Sequence, residues 1–265
     1  MPSRNDLLVR ALRKFEFLAG ARASTIDDLS IRVGSRRVAR GVCLWRTGMR
    51  ADQVIMIQSG TVALRSSSGG AGRAVFSFVG AGEVAGAEFA SRWGVYGANA
   101  VVSSERVDLL FFDTPLLVQM ARTDAGLRRS LDSFAQGNDV LWAKMRVLQA
   151  GGPSNRLAAV VASLVERFGQ PELGGQMRVP NAPSLPDLAA YAGVSAEIAT
   201  AQFGEWATLG IARLEQGGIL VEAPPSMEAL AWGKGSAGAC SSARSSGVVR
   251  RSALLGEAGR VRRQG

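Results

Sequence analysis

Between Thr123 and Gln149, apolar side chains return at Leu127, Leu131, Phe134, Leu141, Met145 and Leu148, and Asn138 fills the one open slot. The spacing alternates four and three, the a/d repeat of a two-stranded coiled coil, with Arg128, Arg129, Asp132, Gln136, Asp139, Lys144 and Arg146 off the seam. One continuous helix of this length would run ~40 Å. A seam asparagine fixes register and strand number at some cost in stability. The pattern predicts a homodimer joined along residues 122–150. An ordinary core helix has the same periodicity, and the pair Gly137-Asn138 could end one helix and cap the next.

Before this stretch, residues 6–18 read as a short amphipathic helix and Asp27 to Val33 as a second. From Arg36 to Phe112 the texture changes. Short apolar runs (Val42–Trp45, Val54–Gln58, Thr61–Arg65, Ala74–Val79, Ala98–Val102, Val107–Phe112) alternate with glycine or polar breaks. That rhythm predicts an antiparallel β-roll of the jelly-roll kind. Asp113-Thr114-Pro115 stops the last strand, and Leu116–Met120 makes a helical turn.

After the long helix, Gly151-Gly152-Pro153 forms a hinge, and residues 154–168 form an amphipathic helix. Ser184-Leu185-Pro186-Asp187 opens a short helix with a capping serine, an early proline and an acid at the third position. Gly193 turns the chain, and Ser195 caps a second helix through Phe203 and Trp206 to Leu209. Small Ala189 four residues before Gly193 is the helix-turn-helix spacing. Arg213–Gln216 and Ile219–Val221, joined at Gly217-Gly218, read as a hairpin wing. From Trp232 onward, glycine, serine, alanine and arginine predict a disordered tail. The expected architecture is α+β. It comprises a roll with its helices (1–121), a dimerisation helix (122–150), a winged helix-turn-helix (151–230) and a basic tail (231–265).

Composition narrows the chemistry. Among 265 residues there is no histidine and only two cysteines, Cys43 and Cys240. This removes the usual acid–base catalyst, histidine-ligated haem and a four-thiolate cluster, and predicts neither metal nor catalysis. No apolar run is long enough for a membrane span, and no secretory core opens the chain, so a cytoplasmic protein is expected. The net charge is +9, which predicts a polyanion partner. Residues 231–265 alone hold +6, leaving +3 for the rest.

The order of parts resembles the Crp–Fnr superfamily of catabolite-activator-type transcription regulators. The likeness runs over roughly residues 13–230. It rests on Arg40–Gly48, Val54–Val62, Gly80–Gly86, Arg156-Leu157-Ala158, and Asp187-Leu188-Ala189 followed by Ala192–Ser195. It implies double-stranded DNA, a second copy of the chain and RNA polymerase as partners. It also implies an effector pocket at Gly86, Ala87, Arg92, Tyr96 and Asn99.

Two departures bear on mechanism. Where the family's cyclic-nucleotide binders place a glutamate for the ribose, this chain has Ala87. Where they place an arginine for the cyclic phosphate, it has Tyr96. A buried phosphate without a charge partner is costly, so cyclic AMP is not expected to bind in the usual way. Arg92 is the one displaced cation nearby. Any effector is an unknown small molecule, with no cofactor implied. Trp45, Met56, Phe78, Trp93 and Tyr96 are candidate pocket walls, with plain roll core the simpler role for Met56 and Phe78.

In the recognition helix the two family arginine positions are Ala196 and Ala201. Arg–guanine contacts carry ~1–3 kcal/mol each, so an unusual or weak base preference is expected. Glu197 can accept from a cytosine amine, Ser195 and Thr200 can reach phosphates, and Arg213 at the wing base is expected to contact a phosphate. Gln202 sits where this motif turns an apolar residue inward. The alternative reading is a ligand-sensing or partner-binding dimer with a degenerate DNA reader. A dinucleotide enzyme built on Gly80–Gly86 is disfavoured by Glu83 inside the loop and by the barrel-like run before it.

Overall fold

The computed structural model describes residues 4–66, 74–86, 94–136, 144 and 147–232, with side chains to residue 133 in the third stretch. Asn138, Leu141, Met145 and the side chain of Phe134 lie outside the described residues, as do Ala87, Arg92, Trp93 and the tail beyond Trp232.

Two antiparallel four-stranded sheets form the roll. In the first, β1 (Gly34–Ala39), β8 (Arg106–Asp113), β3 (Gln53–Ser59) and β6 (Val84–Ala85) lie in that order. In the second, β2 (Cys43–Trp45), β7 (Asn99–Val102), β4 (Val62–Arg65) and β5 (Val75–Val79) do. Strand β3 is apolar on both faces because both are covered. Ile55 and Ile57 point into the roll with Val38, Val62, Val107 and Leu109. Val54 and Met56 point outward with Leu110 and Phe112, under the helices. Those helices are α1 (Arg4–Leu12), a 3-10 turn at Glu16–Leu18, α2 (Ala23–Arg32), α3 (Thr114–Ala121) and α4 (Ala125–Gln136). The second sheet sends Ala63, Val75 and Phe78 the other way, into the core of the C-terminal unit. Helices, sheet, roll interior, sheet and C-terminal unit are therefore stacked in that order.

The predicted strands are all present, with two additions. Strand β1 escapes the apolar pattern because GSRRVA buries only Val38. The pair Val84-Ala85 is a strand within the glycine-rich turn. Strand β5 pairs antiparallel with β4, so Gly80–Gly86 connects roll strands and is no dinucleotide loop.

Two seam assignments are corrected. Leu127 and Leu131, expected to face a second chain, lie in this chain's own core with Leu12, Phe15, Phe17 and Leu18. The N-terminal helices take up that stripe of α4 before a partner can. Of the remaining seam, Leu148 is half exposed, while its neighbour Val147 is fully buried against the C-terminal unit.

Helix α5 (Pro153–Phe168) follows the hinge, packed by α8 (Pro224–Trp232), with Met227 and Ala231 buried and Asn155 Nδ2 donating to the Leu230 carbonyl at 2.8 Å. Helix α8 was not expected. It closes the C-terminal unit.

Asp124 ties the two ends of the helical layer together. Its carboxylate accepts from the backbone N–H of Arg22 at 2.8 Å, where α2 begins, and of Gly126 and Leu127 at 2.8 and 3.1 Å, where α4 begins. Burial works against its charge. The Thr25 hydroxyl and the three backbone N–H groups outweigh that, holding the carboxyl at about 2. Asp124→Ala should therefore cost ~1–2 kcal/mol, as helix caps do. Calorimetry should show the melting temperature falling by ~2–4 °C per kcal/mol. The folded carboxyl lies below its ordinary value, so its contribution is complete above pH ~4 and fades toward pH ~2. The gap between wild type and variant should close over that window, and a gap constant down to pH ~2 would assign the effect to something other than the carboxylate.

Candidate nucleic-acid interface and effector pocket

Helix α6 (Leu185–Ala192) starts at Ser184, whose hydroxyl accepts from the Asp187 N–H at 3.4 Å. It stops at Gly193, which takes the left-handed conformation (φ 66°) that glycine adopts without strain. The Val194 N–H returns to the Ala189 carbonyl at 3.0 Å. Helix α7 (Ala196–Thr208) then begins at Ser195, whose Oγ accepts from the Ile198 N–H at 3.3 Å. Ala189 is buried at the crossing, and Ala199, Phe203 and Trp206 turn inward, the two rings edge-on at 5.2 Å. This is a helix-turn-helix.

Its wing is a four-stranded sheet of β11 (Ala212–Glu215), β12 (Gly218–Val221), β10 (Met177–Pro180) and β9 (Gln170–Pro171). The hairpin turn falls at Gln216-Gly217, one residue earlier than expected. Gly218 is drawn into β12, where a Cβ would meet the Val179 carbonyl oxygen at 2.6 Å.

The predicted contact residues Ser195, Ala196, Glu197, Thr200 and Ala201 are all exposed on α7. Two are partly committed. Ser195 caps the helix, and the Thr200 hydroxyl donates to the Ala196 carbonyl at 2.8 Å. The Ser195 hydroxyl and its own backbone N–H hold the Glu197 carboxyl below the usual range, so it is ionised at neutral pH. Gln202 is half-buried and donates to Glu205 at 2.8 Å rather than completing the apolar face.

The charge of this unit runs against the whole-chain balance. Residues 153–232 hold four arginines, no lysine and eight carboxylates, a net charge of −4. All four arginines are engaged. Arg213 pairs with Glu215 and Glu222, and Arg178 with Glu172 and Glu215 at 2.6 and 2.5 Å. Arg167 grips Glu83 of the roll, and Arg156 donates to the carbonyls of Gly151, Ala192 and Gly193. Arg213, expected at a phosphate, thus sits between two carboxylates.

Inside the roll, Tyr96 stacks on Trp45 with ring centroids 4.3 Å apart. Its hydroxyl donates to the Gln53 carbonyl at 2.7 Å and accepts from the Gln53 N–H at 3.1 Å. Gly86 lies against the same carbonyl, where a Cβ would come within 2.8 Å. Asn99 receives the Thr47 N–H at 2.9 Å and donates to the Ser66 carbonyl at 3.3 Å. Tyr96 and Asn99 therefore brace the roll. Buried Trp45 Nε1 finds no acceptor among the described residues. Met56 belongs to the helical layer and Phe78 faces Tyr191 of the C-terminal unit at 5.1 Å, so neither lines this interior.

The most developed polar site joins the two units. Asp187 of α6 is buried and pairs with Arg65 of β4. It also accepts from the hydroxyls of Ser103 and of Ser184, the latter at 2.8 Å. The Ser184 N–H donates to Ser103 Oγ at 3.1 Å, and Thr61 Oγ1 to the Asn181 carbonyl at 2.8 Å. Arg167 adds Glu83 and the Phe78 carbonyl, each at 2.7 Å. Lys144 donates to the Tyr191 carbonyl and lies 4.1 Å over its ring, with burial pushing its ammonium down to about 8. The sequence marks Asp187 as a capping acid and as part of the family likeness, and gives no sign of its ionic partner.

Roll, connecting helix, hinge and winged helix-turn-helix together are the fold of the Crp–Fnr transcription regulators. The chain is similar to FixK2 from Bradyrhizobium japonicum, at 17% identity and a TM-score of 0.63 over 75% of this chain and 96% of that one. It is similar to the c-di-GMP responsive global regulator CLP of Xanthomonas campestris, at 17% identity and a TM-score of 0.53 over 76% and 99%. It is also similar to a CRP-family transcriptional regulator from Thermus thermophilus, at 16% identity and a TM-score of 0.53 over 74% and 96%. No protein-family model and no curated protein matches the sequence. Among the described residues, no helix is long and apolar enough to cross a membrane, and no cluster of potential metal ligands occurs.

Removing one partner of a buried ion pair strands the other. Arg65→Ala should therefore lower unfolding stability by ~3–5 kcal/mol, whereas Arg65→Met with Asp187→Leu should recover most of it. Denaturant titration of the single and double variants measures the coupling, and additive losses would show that the pair does not act as a unit.

Proposed function

We propose that the chain is a DNA-binding transcription regulator that works as a homodimer. The observation that carries this reading is the capped helix α7, which presents Ala196, Glu197, Thr200 and Ala201 to solvent beside the β11–β12 hairpin of the wing sheet. A helix so placed fits a major groove. Glu197 can accept from a cytosine amine, and the small side chains at 196 and 201 allow close approach to the bases. Two such helices in a symmetric dimer meet successive major grooves ~34 Å apart. With Leu127 and Leu131 taken by the chain's own core, pairing falls to the later seam positions, from Phe134 to Leu148. RNA polymerase and a cytoplasmic location accompany this reading, and no catalytic role does.

The roll acts as the effector unit. Cyclic AMP is not its usual ligand, because Ala87 and Tyr96 replace the two charged contacts and Tyr96 is already stacked and hydrogen-bonded. Titration calorimetry should detect no cyclic AMP binding at micromolar concentrations. Micromolar affinity would return the roll to the cyclic-nucleotide binders.

A second reading, a partner-binding dimer with a degenerate reader, is favoured by one observation. The winged unit has a net charge of −4 with every arginine engaged. Phosphate neutralisation supplies most non-specific DNA affinity, so an acidic reader depends on other cations of the chain. Selection from random duplexes by the full chain at two salt concentrations separates the readings. The expected result is an enriched two-fold symmetric site whose preference changes at one position in Glu197→Ala. Binding that fades with salt while enriching no sequence would instead favour the partner-binding dimer.

A further inference from the structure

If the winged unit engages DNA without a free cation of its own, the phosphate contacts must come from elsewhere in the assembly. The charge is partitioned to allow this. Residues 1–152 carry twenty lysines and arginines against thirteen carboxylates, a net +7. An exposed arginine row runs along one edge of the roll. Arg32 ends α2, Arg36 and Arg37 lie on β1, Arg40 follows its last residue, and Arg106 lies across from Ala39 on β8. We propose that this arginine edge is a second nucleic-acid contact, binding the phosphate backbone of duplex DNA that flanks the site engaged by the winged unit. The proposal rests on the DNA-binding reading above.

Three observations carry it. First, the row is largely uncompensated. Arg37 alone forms an ion pair there, with Asp108 at 2.6 Å. Arg32, Arg40 and Arg106 have no salt bridge among the described residues. Arg36 rests its guanidinium over the Phe111 ring, 5.0 Å from the centroid, a stack that leaves its in-plane N–H donors available to a phosphate. Second, the arginines gather along and beside one sheet edge. β1 is the outermost strand of its sheet. At ~3.3 Å per residue, Arg36 and Arg40 stand ~13 Å apart, comparable to a few phosphate spacings along one DNA strand. Third, one end of the row adjoins the reader. The Arg40 N–H donates to the Glu105 carbonyl at 2.9 Å, and Arg106 follows the turn whose Ser103 is bonded by Ser184 at the start of α6.

Charged side chains on an open strand also guard it against edge-to-edge pairing. That role predicts aggregation on their removal and leaves DNA binding alone, so the two are separable.

The test uses the full chain and a duplex of about 40 base pairs, with fluorescence anisotropy followed across a salt series. Arg36→Gln/Arg40→Gln/Arg106→Gln is compared with Arg10→Gln/Arg13→Gln/Lys14→Gln, which removes equal charge from the exposed end of α1. The edge variant should bind ~10-fold or more weakly at low salt, and its slope of log affinity against log salt should shrink by ~2–3. The control should keep the wild-type slope. If the triple variant does not fold, Arg32→Gln/Arg40→Gln gives the same readout with a slope change of ~2. An unchanged slope in the edge variant, with or without aggregation, overturns the proposal, as does an equal loss in both variants. A wild-type chain that binds no duplex at low salt removes the DNA-binding reading as well, and that outcome is distinguishable from failure of the edge alone.

Discussion

The buried pair of Arg65 and Asp187 is the constraint on which the arrangement of the two units depends. A carboxylate this deep is tolerable only with a full set of donors, and the set is drawn from both units: a guanidinium and a hydroxyl from the roll, a hydroxyl from its own cap. Asp187 stands in the first turn of α6, so the pair fixes where the helix-turn-helix begins on the second sheet. Phe78 against Tyr191 and Glu83 against Arg167 then fix its rotation. Gly80 permits that approach, because a Cβ there would lie 2.5 Å from the Phe168 ring. Arg65 Nε has no acceptor among the described residues. The junction is specified by charge and shape together, and its polar part is not fully satisfied. A change in domain angle would have to break or replace these bonds.

Much of the architecture was legible because it is written in local chemistry. Capping serines, the left-handed glycine and the paired-strand rhythm act within a few residues, so Ser184, Gly193, Ser195 and the wing could be placed from spacing alone. Strand β1 could not, because an edge strand with one buried residue has no alternation to detect. The first two seam positions were misassigned to a partner for a different reason. A heptad stripe records that one helix face is buried and is silent on what buries it. The N-terminal helices cover Leu127 and Leu131 as a second chain would have done.

The candidate sites were less legible than the fold. Asp187 looked like half of a capping box, and its ionic partner is 122 residues away in sequence. Arg213 looked like a free cation until Glu215 and Glu222 closed on it. In the sequence Tyr96 stands out for the arginine it replaces, whereas its stacking on Trp45 and its two bonds to Gln53 make it a brace. In each case the residue type was read correctly and its partner could not be, since side-chain contacts between distant segments are set by topology.

The same layering decides which surfaces remain for macromolecules. The outer face of the first sheet is spent on the helical layer, and that of the second on the C-terminal unit. The interior is filled by residues such as Ile55, Ile57, Val62 and Leu109. What the roll can still offer a large partner is an edge, and β1 is the edge that carries arginine. A whole-chain charge of +9 conceals this, because it sums an acidic winged unit with a basic N-terminal part and the basic residues beyond Trp232. Electrostatic attraction to a polyanion depends on where charge sits relative to the approaching phosphates, within about a Debye length of ~8–10 Å. On the proposed DNA-binding reading, the partition leaves shape recognition to the winged unit and charge attraction to other parts of the chain, two tasks that a basic recognition helix would have combined.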